Sequence, residues 1–492
     1  MTGRARKKST PGGARILIVG LILLLLLTGC VKNPVTGKRQ LVLLSEAQEI
    51  EIGKASHPEV LAEFGAVDSG ALQAYVAAIG QKMAQASHRP DLPWTFTVVD
   101  SPVVNAFAIP GGFVYFTRGI LTFMNDEAEL AGVLGHEIGH VTARHSVSQI
   151  SKAQLFGLGI GLGSAFSATF RNLSDLAQLG TGLLFLRYGR DAERQSDQLG
   201  IQYMFGQNYD PRRMSRFFEV FQAMREQSGQ AIPDWLSTHP APPDRIAATS
   251  ARAEELLQGG ASDNLRVGNA EFLEAIDGVV FGENPRQGFV LEDQFLHPDL
   301  RFQMNFPTSW KVQNSKSAVL FAAPDGAAGV QLTLAPEAVA PEQRARQIAE
   351  APEIELVAGS ERNIAGNRAY LGEFRVTQEG GEIRVVAAFI PYRGNLYQLA
   401  GIAPAAVFAT HRSALLDTLV SFRELTDSRH LNVQPDHLRI YRVQRGGRLA
   451  DVAGRFPNSR IELADLERLN RISRDTLLAA GTRVKVVEAG RR

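Results

Sequence analysis

The chain has 492 residues, 45% of them hydrophobic and 21% charged, a composition that fits a folded protein of several domains and excludes a disordered one. Lys and Arg number 52 against 51 Asp and Glu, so the net charge of +1 carries no basic footprint and nucleic acid is excluded as a partner class. The lone cysteine, Cys30, excludes an intramolecular disulfide framework.

The first thirty residues read as an export signal: a basic stretch (Arg4, Arg6, Lys7, Lys8, Arg15), then an apolar run from Ile16 to Leu27, short of the roughly 20 apolar residues a membrane span needs. Leu27-Thr28-Gly29-Cys30 resembles the bacterial lipobox, which implies acylation of Cys30 as the mature N-terminus. The rival reading is an uncleaved anchor helix with an incidental cysteine. On either reading the rest of the chain lies outside the cytoplasm. Val31 stands where an inner-membrane retention signal has Asp, so a periplasmic protein tethered to the outer membrane is expected.

Residues 31–44 are polar and turn-rich and read as a tether. From Ser45 to Ala86 helical spacing predicts two helices broken near His57-Pro58. A β section follows: Trp94 to Val99, Ala106 to Ile109, a Pro110-Gly111-Gly112 turn, and Phe113 to Thr117. Asn125 to Gln149 reads as one helix, capped by Asn125 or Asp126 and acidic in its first turn. The apolar segment 153–186, uncharged over 153–170, reads equally as a buried hairpin or as a lid or membrane-touching element. Helices are predicted from Arg190 to Met204 and on to Gln258, then a linker over 259–287. Over 288–425 apolar alternation predicts an α+β domain dominated by antiparallel strands, and 437–488 reads as a small module with a strand, two helical patterns and a closing strand.

The chemistry concentrates in His136-Glu137-Ile138-Gly139-His140. Residues four apart share one helix face, so both imidazoles can reach a single metal while Glu137, one step round, stands beside a metal-bound water. A third ligand is required, and Glu193 in Arg190-Asp191-Ala192-Glu193-Arg194-Gln195-Ser196-Asp197 is a candidate, with Asp197 one turn on able to orient a ligating His. Composition alone favours reading that helix as a solvated charged face.

Four strings resolve the choice: Asn33-Pro34-Val35-Thr36-Gly37, Asn105-Ala106-Phe107-Ala108-Ile109-Pro110-Gly111-Gly112, the His136–His140 motif, and Arg190 to Asp197. Together they resemble metallopeptidase family forty-eight, the gluzincins that include HtpX-like, CAAX prenyl and BepA-like peptidases. The resemblance is strongest to the lipoprotein branch and covers residues 33–255. It implies a mainly helical peptidase domain with a small β-sheet over 45–258, with one zinc ion per chain held by His136, His140 and Glu193 and with Glu137 as catalytic base. Ser196 departs from the usual Ala, a small change with no expected loss. The resemblance also implies that Asn105, Ala106 and Phe107 offer a strand edge to substrate. Within Ser237-Thr238-His239-Pro240, followed by Asp244-Arg245-Ile246, it implies that His239 can reach the metal as a self-inhibiting ligand.

The 437–488 segment resembles a LysM module, with Gly447-Arg448 replacing the usual Asp-Thr, so peptidoglycan binding and a packing or protein-contact role both stay open. The expectation is therefore an α+β multidomain chain: a lipid-anchored periplasmic zinc endopeptidase acting on unfolded or misassembled envelope polypeptides. The alternative is an outer-membrane assembly factor or chaperone whose protease is latent.

Overall fold

The computed structural model describes residues 30–159, 188–228, 235, 239, 243–259, 264–378 and 381–491. The expected signal, up to Gly29, and most of the apolar 153–186 segment lie outside these residues. The chain divides into two compact units, the first running to Ala275 apart from residues 61–66 and 99–102, which belong to the second.

The first unit opens differently from the expected tether. Cys30–Lys32 (β1) pairs antiparallel with Arg39–Leu41 (β2) around Asn33, whose carboxamide oxygen accepts the N–H groups of Val35 and Thr36. The Asn33 amide donates to the Ala143 carbonyl, and Val42 and Leu44 are buried, so 33–44 is docked structure. The polar composition misled because the polar groups bond to backbone rather than to water.

Glu46–Phe64 (α1) continues through Pro58 instead of breaking there. Proline strands the carbonyl one turn back, that of Lys54, but Lys54 and Pro58 are both exposed and water can satisfy it. The buried stripe Glu49, Ile52, Gly53, Ser56 and Val60 lies on the opposite face. The helix ends at Gly65, which takes a positive φ of 65°. Gly70–Gln85 (α2) starts on the Ser69 cap, whose Oγ accepts from Leu72 N.

Three strands, Thr95–Val99 (β3), Ala106–Ile109 (β4) and Phe113–Thr117 (β5), form a sheet in the order β3-β5-β4. Gly111 and Gly112 both take positive φ in the β4–β5 turn, the conformation that Pro-Gly-Gly signals. After Arg118–Phe123 (α3) comes Glu127–Thr142 (α4), capped by Asp126 Oδ1 accepting from Glu129 N. Every residue of α4 is buried, so it is the central helix of the unit rather than an amphipathic one.

The single helix expected to Gln149 is two. Arg144 adopts a left-handed φ of 57°, and His145–Gly159 (α5) sets off anew. The strain in a non-glycine residue is offset by the guanidinium it buries: Arg144 Nε donates to Glu49 Oε2 and Nη2 to the Leu44 carbonyl. Glu49 also receives two bonds from Arg89, so one buried carboxylate ties α1 to the segments following α2 and α4.

Arg190–Gly206 (α6), Arg212–Ser228 (α7), Pro243–Gln258 (α8) and Asn269–Ile276 (α9) complete the unit. The last falls in the expected linker, yet buries Phe272, Leu273 and Ile276. Among the described residues no helix is long and apolar enough to cross a membrane.

The second unit holds a seven-stranded antiparallel sheet in the order Lys311–Asn314, Ala318–Ala322, Gly329–Leu334, Asn395–Pro404, Gly381–Tyr392, Asn367–Gln378, Ile354–Ile364. Alternation sends Val330, Leu332, Val386, Ala388 and Ile390 to one face, where they form a core with Phe302, Phe321, Phe422 and helix residues Leu415 and Leu419. Near the C-terminus Asp436–Arg442 pairs antiparallel with Arg483–Glu488, with helices Leu449–Ala453 and Leu463–Asn470 between them in sequence, around Val443, Leu449, Leu466 and Val486.

Candidate metal centre

Two helices carry the centre, and small residues let them touch. A Cβ on Gly135 of α4 would lie 2.8 Å from the Gly200 carbonyl oxygen of α6, and one on Gly139 would lie 3.1 Å from Ser196 Cα. Such contact brings His136 and His140 of α4 to face Glu193 of α6. His239 completes the group: these four residues are buried and their donor atoms lie within 4.8 Å of one another.

The spacing is that of a coordination shell. His136 Nε2 and His140 Nε2 are 3.0 Å apart, and His239 Nδ1 stands 3.3 Å from His136 Nε2 and 3.0 Å from Glu193 Oε1. Glu193 Oε1 is 3.5 Å from His140 Nε2. Donors on a tetrahedral zinc at bonds of about 2.0–2.1 Å sit about 3.3 Å apart. Tautomers support the same reading. His136 Nδ1 faces Asp197 Oδ1 at 3.0 Å, which fixes the proton on Nδ1 and leaves the Nε2 lone pair pointing at His140. His140 Nδ1 faces His145 Nδ1 at 3.1 Å, and with the His140 proton on that side two imidazole lone pairs meet at 3.0 Å, an arrangement that a cation accepting both relieves. Both carboxylate oxygens of Glu137 are buried without a hydrogen-bond partner among the described residues, as expected of a base whose partner is a water on the metal. The residues present therefore fit a divalent metal.

Electrostatics inside the cluster are strongly coupled. Burial pushes His140 well below its ordinary range, helped by His136, His145 and His239, so its imidazole is neutral and able to ligate. Burial alone would raise Glu193, but His239, His136 and Arg245 outweigh it and hold the carboxyl below its usual value. Burial would lower His239, and the carboxylates of Glu193 and Glu137 reverse the direction.

Around the donors stand residues to which the sequence reading gave no role. Arg245 of α8 binds Asp197 with two bonds, Nε to Oδ2 at 2.7 Å and Nη2 to Oδ1 at 2.6 Å, and ion-pairs with Glu193 Oε2 at 2.6 Å. His145 Nδ1 lies 3.1 Å from His140 Nδ1, and its Nε2 lies 3.0 Å from Gln195 Oε1. Burial pushes His145 down to about 4, so it is the neutral partner that orients His140. Tyr188 packs its ring on His140, and Trp235 stacks on His239. His145 was hidden because one helix read through to Gln149 turns it away from His140; the left-handed Arg144 brings it back. Arg245 stood in the string after His239 without a spacing signal of its own.

Asn105 precedes β4, which carries Ala106 and Phe107 at the edge of its sheet. Thr117 N donates to the Asn105 carbonyl, so Asn105 turns its main chain towards β5, and by alternation Ala106 and Ala108 turn theirs away. The Val104 carbonyl, of the same parity, accepts from Trp235 N. Cys30 opens β1.

Residues 71–253 match the model of Peptidase family M48. The mitochondrial metalloendopeptidase OMA1 of Schizosaccharomyces pombe is 31% identical over 216 residues, covering 43% of this chain and 63% of that one. The beta-barrel assembly-enhancing protease of Escherichia coli is 28% identical over 222 residues, covering 43% and 45%. OMA1 of Arabidopsis thaliana is 33% identical over 179 residues, covering 35% of each. The matches thus span less than two thirds of those relatives. Among solved structures, the solution structure of cyanobacterial PsbP from Synechocystis is matched at 15% identity and a TM-score of 0.24, over 27% of this chain and 94% of that one. The matched stretch contains the His136–His140 motif and Glu193 and His239, and over it the chain is similar to peptidase family M48.

Proposed function

We propose that the chain is a zinc metalloendopeptidase of the cell envelope, anchored through an acylated Cys30 and acting on unfolded or misassembled envelope polypeptides. The observation that carries the reading is the convergence of His136, His140, Glu193 and His239 beside a Glu137 carboxylate that has no hydrogen-bond partner among the described residues. Zinc is the metal best matched by a set of imidazoles and one carboxylate at tetrahedral spacing. Bound there by His136, His140 and Glu193, it would supply an electrophile for the scissile carbonyl and acidify a water. Glu137 is placed to accept a proton from an attacking water and to return it to the leaving amine. An extended substrate pairs with the outward main chain of Ala106 and Ala108, which reads backbone more than side chains and suits unfolded clients.

The envelope setting draws on the basic and apolar N-terminal sequence, the lipobox-like Leu27 to Cys30, and the name of the Escherichia coli relative. The LysM-like order of elements over 436–488 leaves peptidoglycan as a candidate second partner.

His239 favours a second reading, a latent protease. Its Nδ1 occupies the fourth position of the donor set and its Nε2 lies 3.6 Å from Glu137 Oε1, where a catalytic water would stand. Glu137→Gln tests the main reading. It should retain the metal, cut cleavage of an unfolded protein by on the order of 10²–10⁴-fold, and trap clients in cells. Undiminished cleavage would remove Glu137 from the reaction.

A further inference from the structure

We infer that Arg245 is a positioning residue that keeps Glu193 to one metal-facing oxygen and so reserves the fourth position for water or for His239. The inference rests on the metallopeptidase reading above. A carboxylate can ligate through one oxygen or through both, and the second mode would use up a position that hydrolysis needs. In this chain the two oxygens of Glu193 have different partners. Oε1 lies 3.0 Å from His239 Nδ1 and 3.5 Å from His140 Nε2, within the donor set. Oε2 ion-pairs with Arg245 Nη1 at 2.6 Å and lies farther from the ligand nitrogens, 3.7 Å from His136 Nε2.

The guanidinium is held so that it cannot follow a rotation of Glu193. Its Nε and Nη2 are both committed to Asp197, which itself orients His136. Arg245 is almost wholly buried, with its guanidinium over the rings of Phe218 and Trp235 at 5.0 and 5.7 Å. Trp235 in turn stacks on His239, and the His239 carbonyl lies 3.5 Å from Arg245 Nη1. One planar, three-pronged cation therefore faces the ligand carboxylate, the carboxylate behind His136 and the segment bearing His239. Lysine, a point charge without the fork, cannot serve Asp197 and Glu193 at once.

The test uses cobalt(II) as a spectroscopic probe in the full chain and in Arg245→Lys. Both should bind one cobalt, the unsubstituted chain with the intense visible bands of a four-coordinate ion. Arg245→Lys should lose intensity severalfold as the freed Glu193 oxygen adds a fifth donor, and its kcat should fall with KM unchanged. Equal band intensity in the two proteins would overturn the inference while leaving the metal site standing. An unsubstituted chain that binds no cobalt would contradict the metallopeptidase reading itself. Should Arg245→Lys fail to fold, the neutral pair Asp197→Asn with Arg245→Gln is compared with Asp197→Asn alone. The same loss of intensity is expected between them, and its absence overturns the inference.

Discussion

Gly135 and Gly200 bring the backbones of α4 and α6 into contact, with the Gly200 carbonyl oxygen 2.8 Å from where a Gly135 Cβ would stand. Ligands on separate helices can share one ion only if the helices approach this closely. Gly135→Ala should therefore lower stability by about 1–3 kcal/mol and weaken metal binding together. Denaturant melts and metal competition check this; an unchanged metal affinity would separate the crossing from the site.

Glu49 is buried between Arg89 and Arg144. Removing its charge leaves two buried guanidinium groups without their main counter-ion, and Glu49→Gln should cost roughly 3–5 kcal/mol. Chemical denaturation measures it, and a cost below about 1 kcal/mol would show the network to be solvated.

Stability should also depend on pH through His297. Its Nδ1 accepts the Leu300 N–H, which only the neutral ring can do, and burial pushes its pKa down to about 4. The unfolded ring protonates near 6.5 and the folded ring does not, so protons favour the unfolded state and stability falls as pH drops from about 6.5 to 4. The loss should approach about 3 kcal/mol, with no contribution above pH 6.5. His297→Gln should flatten this window, and an identical pH profile in that variant would refute the assignment.

His239→Ala should raise basal cleavage of an unfolded substrate severalfold, because it frees the fourth position while leaving His136, His140 and Glu193 in place. Timed proteolysis assays decide it; equal or lower activity would mean that His239 does not cap the site.

Much of the centre was legible because its residues lie on strongly patterned helices. The His136–His140 spacing, the acidic cap before α4 and the Pro110-Gly111-Gly112 turn each signal their structure locally. What stayed hidden depends on partners distant in sequence. Pro58 reads as a break, and only its exposure lets α1 continue. The 31–44 segment reads as a tether, but Ala143 and Ser151 bind it. The left-handed turn at Arg144 needs Glu49 to hold it, and with it goes the orientation of His145. Arg245 acquires its role only when α6 and α8 meet.

Metal content of the purified chain tests the central claim most directly. Elemental analysis should find about one zinc per chain, lost in His136→Ala without unfolding. A fully folded, active chain that carries no metal would contradict the account.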